Sequence, residues 1–195
     1  MRGLAAHAPA SSAMAKEPKL RIIPLGGCGE IGKNMTVIEM GDDALIIDTG
    51  VMFPSADMLG VDLIIPDTTY LRERKNLKIH GILYTHGHED HTGSVSYVID
   101  QLRGTPMYAT PLTAALLEVK LRGAHLLQET KINVFKPGEG FQAGPFKVES
   151  FHMTHSIPDC VGYAISTPYG LIVHSGDYKF DNTPLNGLKP DYAKM

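Results

Sequence analysis

A six-residue segment, HGHEDH at residues 86–91, most strongly restricts how this chain can fold. It holds three histidines and two acidic residues, and it directly follows the apolar segment KIHGILYT. If a strand ends here and a helix begins, His86 and His88 can turn toward one point, while Asp90 and His91 face a second point nearby. The segment therefore predicts a strand–loop–helix unit that carries ligands for two neighbouring metal ions.

Two metal ions need more ligands than this loop supplies, because each takes three or more protein ligands and keeps a position for water. MTHSIPD offers His155 in a loop between strands, and HSGDYKFD offers Asp177 directly after an apolar strand. A carboxylate placed there can direct one oxygen to each ion, at the separation of about 3.5–4 Å that two-metal hydrolases use. The predicted ligands form two sets that share one carboxylate: His86, His88 and His155 for one ion, Asp90 and His91 for the other, and Asp177 for both.

The donor set consists of imidazole and carboxylate groups without sulfur. Such a set suits two zinc ions, and manganese accepts the same ligands. Water on such ions loses its proton near neutral pH, so a metal-bound hydroxide is the expected nucleophile and no separate catalytic side chain is predicted.

Two further residues are candidates for orienting the ligands. Metal-bound imidazoles usually donate their second N–H to a carboxylate or carbonyl. Asp48, which ends the strand ALIID, is placed to accept such a bond, although an aspartate here also suits a turn. For His174, strand alternation leaves open whether the ring faces the site or the core. The other histidines are isolated and are expected to be structural: His7, His80, His125 and His152.

Strand and helix patterns divide the chain into regions. From Lys19, short runs rich in Ile, Val and Leu between Gly, Asn and Asp turns predict strands. Residues 91–103 are helix-like, and TPLTAALLEVKLRG, with Pro111 near its start, predicts a second helix. Strands return in the last third. We therefore expect an α/β (α+β) fold with sheets flanked by helices, in one domain over residues 19–195, after a disordered tail at 1–18.

The composition of the chain indicates which binding partners and which cell compartment to expect. The formal net charge is -3 and the pI about 6.3, which argues against a strongly basic surface for nucleic acid or anionic membrane. The two cysteines, Cys28 and Cys160, are far apart and do not form a secreted disulfide framework, so a cytoplasmic protein is expected. No apolar stretch approaches the roughly 18–20 residues that span a bilayer, so no membrane association is expected.

The glycine-rich segment GGCGEIGKN differs from a phosphate-binding loop. It lacks the GKS or GKT ending and joins two predicted strands instead of opening a helix. We expect a hairpin turn that brings Asn34 near the metal site.

Several motifs resemble a known family. HGHEDHTG resembles the signature of the metallo-beta-lactamase fold, an αββα sandwich whose strand-end loops hold a dinuclear zinc centre. PLGGCGEIGKNM, DTGVMFP, LGVDLIIPD, HSIPD and SGDYKFD, in this order, resemble the amino-terminal part of the ribonuclease J family, in the beta-CASP branch. The resemblance runs from about Lys19 to the end of the chain.

This resemblance implies an enzyme that hydrolyses RNA phosphodiesters, as a 5′-to-3′ exonuclease and an endonuclease, in RNA maturation and decay. It implies a cytoplasmic homo-oligomer, a dimer or a tetramer. In the family, the six positions named above as ligands bind the metal ions, and the counterpart of Asp48 supports them.

The resemblance also implies missing parts. The family draws a further histidine ligand from far downstream, after a beta-CASP insertion that covers the RNA channel, and this chain stops at Met195. The sandwich is therefore expected to be incomplete at its C-terminal end, with the C-terminal part of the same protein as a missing partner. The chain alone is expected to show little turnover.

Two other functions remain open. One is a small-molecule hydrolase of the same fold, acting on a thioester or a lactone, which the absence of a basic stripe favours. The other is an inactive fragment that serves in assembly by binding a partner chain.

Overall fold

The computed structural model describes residues 19–102 and 104–194, so the tail predicted for residues 1–18 lies outside the described part of the chain. The strands are β1 (Leu20–Gly26), β2 (Met35–Met40), β3 (Asp43–Ile47), β4 (Lys78–Leu83), β5 (Met107–Ala109), β6 (Ile132–Val134), β7 (Gly140–Ala143), β8 (Phe146–His152), β9 (Val161–Thr167) and β10 (Gly170–His174). The α-helices are α1 (Thr69–Glu73), α2 (Glu89–Thr92), α3 (Val95–Val98) and α4 (Pro111–Gly123). Short 3₁₀ turns occur at Ile99–Gln101 and Leu127–Glu129.

The strands form two sheets. The six-stranded sheet has the order β1-β2-β3-β4-β5-β6, antiparallel from β1 to β3 and parallel from β3 to β6. The four-stranded sheet, β10-β9-β8-β7, is antiparallel throughout. Because β3 and β4 are parallel neighbours, the loops that follow them start at the same edge of the sheet. This edge carries Asp48 and HGHEDH.

Strand alternation divides the apolar residues between two cores. On β3, Leu45 and Ile47 face the four-stranded sheet, where they join Phe146 and Tyr163. Ile46 points the other way, toward the helices. The buried apolar residues of α1, α3 and α4 all lie in this second core: Leu71, Val95, Val98, Ala114, Leu117 and Leu121.

The layers are therefore helices, sheet and sheet, and the mixed α/β fold is confirmed. No helix in the ranges 19–102 and 104–194 lies in the core between the sheets or covers the far side of the four-stranded sheet. The described residues thus form the α–β–β part of the expected αββα sandwich.

The helix-like pattern of residues 91–103 corresponds to helical segments that are interrupted, and residue 103 lies outside the described part of the chain. The segment splits into α2, α3 and a 3₁₀ turn. The backbone N–H of Ser94 donates to the carbonyl of Thr49 at 2.9 Å and so leaves the helical pattern. At Gly93, a Cβ would lie 2.6 Å from Cγ2 of Val51, so only glycine allows the chain to pack this closely on the loop after β3.

Residues 175–194 contain no regular element, and backbone hydrogen bonds hold them beside β8. The N–H of Lys179 donates to the carbonyl of Thr154 at 2.7 Å, and the N–H of Asp191 donates to that of His152 at 3.0 Å. These bonds position the segment that carries Asp177. None of the helices in the described part of the chain is long and apolar enough to cross a membrane.

Candidate metal centre

The HGHEDH segment has the geometry expected of a strand–loop–helix unit. It begins three residues after the end of β4, His88 keeps an extended backbone (φ -67°, ψ 155°), and α2 starts at the next residue. Asp90 and His91 therefore lie in the first turn of α2, and the His91 ring centroid lies 4.1 Å from that of His86. His86 and His91 are buried, whereas His88 and Asp90 are partly exposed.

One group of potential ligands consists of His86, His88 and His155. Each offers a ring nitrogen within 4.8 Å of the others. Nε2 of His86 lies 3.0 Å from Nδ1 of His88, and the His155 ring centroid lies 5.0 Å and 4.9 Å from the centroids of these two rings. These are the three histidines expected to share one ion.

A second group consists of His86, His91 and Asp177. Oδ1 of Asp177 lies 3.5 Å from Nε2 of His91, and Oδ2 lies 3.8 Å from Nε2 of His155. The carboxylate thus directs one oxygen toward each group, as a shared ligand must. Asp90 lies at the margin, with Oδ2 3.6 Å from Nε2 of His91, and His86 belongs to both groups instead of one.

Asp48 contacts the second group through His91. Its Oδ2 accepts from Nδ1 of His91 at 2.7 Å, which leaves Nε2 directed at Asp177. The carboxylate is fixed in turn by Thr85, whose backbone N–H and hydroxyl each donate to Asp48 at 2.8 Å. Sequence reasoning missed Thr85, although its position between β4 and the histidine loop was a usable signal.

Asn34 attaches the glycine-rich turn to the ligand loop. Its backbone N–H donates to the carbonyl of Asp90 at 3.0 Å, and its amide Nδ2 donates to the same carbonyl at 3.1 Å and to the Asp90 carboxylate at 3.4 Å. Gly50 packs between them, since a Cβ there would lie only 1.6 Å from the Asp90 carbonyl oxygen. The turn joins antiparallel β1 and β2, as predicted, and its last residue supports the site.

His174 lies beside the site without joining either group. Its Nδ1 accepts from the N–H of Gly176 at 3.1 Å, in the turn that leads to Asp177, and burial lowers the pKa of its imidazole. Of the histidines expected to be structural, His80 pairs with Asp43 at 2.6 Å and His152 contacts the carbonyl of Leu188 at 3.2 Å. His125 follows α4, and His7 lies outside the described residues.

The histidines of the centre differ in their ionisation. Burial lowers the pKa of His86 to about 3, with a smaller effect from His91, so this ring is neutral, as a metal ligand must be. Burial also acts to lower the pKa of His91, but Asp48 and Asp177 outweigh it and raise this pKa to about 10. The hydrogen bond with His91 lowers the pKa of Asp177 to about 2. Asp48 and Asp177 thus keep the imidazole of His91 protonated. A metal ion bound there would take the place of this proton and supply positive charge instead.

The donor atoms fit zinc or manganese. They are imidazole nitrogens and carboxylate oxygens, a set that both ions accept. Neither cysteine belongs to the groups; Cys28 is exposed, and burial raises the pKa of the Cys160 thiol to about 12, so that it stays protonated.

Several known proteins with similar sequences are ribonucleases J. Ribonuclease J of Synechocystis is 46% identical over 177 residues, which cover 90% of this chain and 28% of that protein. Ribonuclease J 2 of Staphylococcus aureus is 41% identical over 180 residues, which cover 92% of this chain and 32% of that protein. The chain therefore spans less than a third of the length of these relatives.

Solved structures agree on the fold. A protein of unknown function from Enterococcus faecalis superposes with a TM-score of 0.61 at 17% identity, over 83% of this chain and 44% of its own. The metallo-beta-lactamase fold protein YhfI of Bacillus subtilis superposes with a TM-score of 0.56 at 18% identity, over 85% of this chain and 65% of its own. The family model for the Metallo-beta-lactamase superfamily matches residues 28–193. The chain thus belongs to the metallo-beta-lactamase superfamily, and its resemblance to ribonuclease J is confirmed.

Proposed function

We propose that this chain carries the metal centre of a metal-dependent ribonuclease that hydrolyses RNA phosphodiesters. The observation that carries the proposal is that the two groups of potential metal ligands meet at Asp177. The chain that holds them is 46% identical over 177 residues to a ribonuclease J. The sequence similarity supports RNA as the substrate, and the geometry supports a two-metal hydrolytic centre.

The residues proposed to hold the ions are those predicted from the sequence: His86, His88 and His155 for one, Asp90 and His91 for the other, and Asp177 for both. When bound, such ions supply an acidified water as the nucleophile and positive charge beside the phosphoryl oxygens. The remaining work falls to side chains that orient the ligands. Asp48 accepts the Nδ1 proton of His91 and so orients Nε2, which would bind an ion after losing its own proton.

The charge around Asp177 supports metal dependence. A hollow between the two sheets is lined by Asp48, His91, His174 and Asp177, and none of its described lining residues is lysine or arginine. An RNA phosphate that approached these carboxylates without a cation would be repelled. Cations held by these residues would offset the charge of the carboxylates and so allow a phosphate to approach.

Finer features rest on the resemblance alone. We propose two zinc ions, with manganese as the alternative, both 5′-to-3′ exonuclease and endonuclease activity, and a homo-oligomer in the cytoplasm. We also propose that residues 19–195 are the amino-terminal part of the metallo-beta-lactamase domain. A downstream segment with a beta-CASP insertion would then add a further histidine ligand, and efficient turnover would depend on that segment.

The experiment follows a labelled 5′-monophosphate RNA with zinc or manganese, with and without a chelator, using the chain alone and the chain extended by the downstream segment. We expect metal-dependent cleavage that increases with the extension. His88→Ala and Asp177→Asn should reduce the rate by orders of magnitude and lower the metal content measured by elemental analysis.

His125→Asn is the matched control, because this histidine lies outside the centre and asparagine tolerates its left-handed backbone (φ 62°). Unchanged metal content in His88→Ala would contradict the ligand assignment. Cleavage of a thioester, with no cleavage of RNA, would favour the small-molecule hydrolase instead. Bound metal without turnover of either substrate in the extended chain would favour the assembly role.

A further inference from the structure

An apolar hollow adjoins the metal centre on the side of α2. Its walls are Ile31, Gly32, Val51, Met52 and Phe53, its other lining residues are His88, Glu89 and Asp90, and its volume is about 410 Å³. The hollow therefore shares two of the proposed metal ligands. Its size is within the range of pockets that bind one small organic group.

Backbone hydrogen bonds fix the two segments that form the apolar walls, residues 31–32 and 51–53. The N–H of Lys33 donates to the carbonyl of Val51 at 2.8 Å, and Met52 and Ile64 exchange two backbone hydrogen bonds of 2.8 Å and 2.9 Å. The side chains of Ile31 and Phe53 nevertheless remain 91% and 65% exposed. Two large apolar groups at the opening of a strongly polar site form a face that is available to a ligand.

The charges of the hollow indicate which part of a nucleic acid it suits. None of its described lining residues is lysine or arginine, and its carboxylates disfavour a phosphate. Glu89 already pairs with the ammonium group of Lys120. A flat, uncharged group with N–H donors at its edge matches an aromatic face beside carboxylates, and a nucleobase has these properties.

We propose that the apolar hollow binds the nucleobase adjacent to the scissile phosphate, stacked on Phe53. This inference rests on the proposed function, which places the phosphate at the metal ligands His88 and Asp90. Because every base has a flat face, stacking on Phe53 contributes affinity with little preference among sequences. Phe53 is then a specificity-determining residue for nucleic acid over a simple phosphoester.

The chain contains no tryptophan, which allows a direct test. Phe53→Trp introduces a single tryptophan into the hollow, and Tyr97→Trp introduces one on α3, at a residue that is 54% exposed and does not line the hollow. Each full chain is loaded with zinc or manganese and titrated with adenosine 5′-monophosphate or with ribose 5-phosphate. We expect saturable quenching only for Phe53→Trp with the nucleotide. Equal quenching of both variants, or no quenching of Phe53→Trp by bound nucleotide, would overturn the inference.

Affinities of variants at Phe53 give a second readout. Phe53→Ala should weaken nucleotide binding about 10-fold and leave ribose 5-phosphate binding unchanged, while Phe53→Tyr should retain the wild-type affinity. If wild-type chain and Phe53→Ala bind the nucleotide equally well, the base site is refuted while the metal centre stands. If the metal-loaded wild-type chain binds neither compound, the proposed function fails and the base site fails with it.

Discussion

Asp48 and Thr85 show how single residues prepare the metal centre. Thr85 donates two hydrogen bonds to Asp48, and Asp48 accepts from Nδ1 of His91. The three side chains are almost fully buried, so water does not compete for these bonds. The orientation of His91 thus depends on a carboxylate that lies 43 residues away in sequence.

Asp48→Asn should weaken metal binding about 10- to 100-fold, because the neutral amide no longer supports the imidazole of His91 electrostatically. Asparagine is chosen because Asp48 has a left-handed backbone (φ 61°), which alanine would strain. The measurement is competition with a chromogenic chelator. Asp43→Asn, which changes an aspartate paired with His80 away from the centre, is the control. An unaltered affinity in Asp48→Asn would show that the carboxylate only completes a turn.

Asn34 supports Asp90, the ligand at the margin of the second group. Removing its amide in Asn34→Ala frees the Asp90 carboxylate, so we expect occupancy of the second ion to fall while the first remains bound to His86, His88 and His155. Elemental analysis after gel filtration should then give a metal-to-protein ratio that falls from two toward one.

Asn133→Ala is the control for Asn34→Ala, since it also loses a hydrogen bond from a side-chain amide to a backbone carbonyl, in this case that of Met107. Its metal ratio should stay at two. A ratio of two in Asn34→Ala as well would contradict the supporting role of Asn34.

At the scale of elements, α1 is attached to the sheet through a buried carboxylate on β2. Glu39 accepts from the hydroxyl of Tyr70 on α1 at 2.5 Å, from Arg74 at 2.7 Å and from Arg21, its cross-strand partner on β1. Burial raises the pKa of Glu39, but the hydrogen bonds from Tyr70 and the two arginines outweigh it and hold this pKa below its ordinary value. The charged carboxylate is therefore stabilised in the folded chain.

Glu39 should make stability depend on pH in the acidic range. Since its folded pKa is lower than its unfolded value of about 4.3, its contribution is complete above that value and is lost as the pH falls through the folded pKa. Glu39→Gln should lower the free energy of unfolding near neutral pH by roughly 1–3 kcal/mol and flatten its decrease between about pH 5 and pH 3.

Urea unfolding at a series of pH values measures this effect. Glu73→Gln, which changes an exposed residue on α1, should keep the wild-type profile. If Glu39→Gln and the wild type lose stability in parallel as the pH falls, Glu39 does not cause the acid sensitivity.

The elements also differ in how far local sequence predicts them. The strands β1 to β4 follow from short apolar runs between turn residues, and the helix α4 follows from helical spacing and Pro111, because these patterns act within one segment. The break between α2 and α3 does not, because it results from hydrogen bonds and close packing between Gly93, Ser94 and the loop after β3. The N–H of Ser94 bonds to the carbonyl of Thr49 and not to a carbonyl of its own helix, and this choice depends on the fold.

At the scale of the whole molecule, the metal centre joins the two sheets. HGHEDH follows β4 of the six-stranded sheet, His155 lies between β8 and β9, and Asp177 follows β10. A bound ion would therefore connect segments that the core between the sheets and hydrogen bonds such as that from the N–H of Val161 to the carbonyl of Thr85 also hold together. The unfolded chain cannot present these ligands at one point, so metal binding should stabilise the folded state.

Adding zinc or manganese to metal-free chain should raise its melting temperature, and a chelator should reverse the change. At a free metal concentration of 100 times Kd the expected gain is about 2.7 kcal/mol. Differential scanning calorimetry measures it, and Asp177→Asn should reduce the gain relative to His125→Asn. Identical melting curves with and without metal would argue against a preformed site.

The sequence alone determined the ligand types, their order along the chain and the strand-then-helix setting of HGHEDH, because these depend on residue chemistry and local periodicity. Only the tertiary structure decided that His86 belongs to both ligand groups, that Thr85 supports Asp48 and Asn34 supports Asp90, and that Phe53 and His88 line the same hollow. Thr85 and Asp48 lie 37 positions apart along the chain, and Asn34 and Asp90 lie 56 apart. Their distances depend on the register of β3 with β4 and on the packing of the following loops, which no local pattern in the sequence encodes.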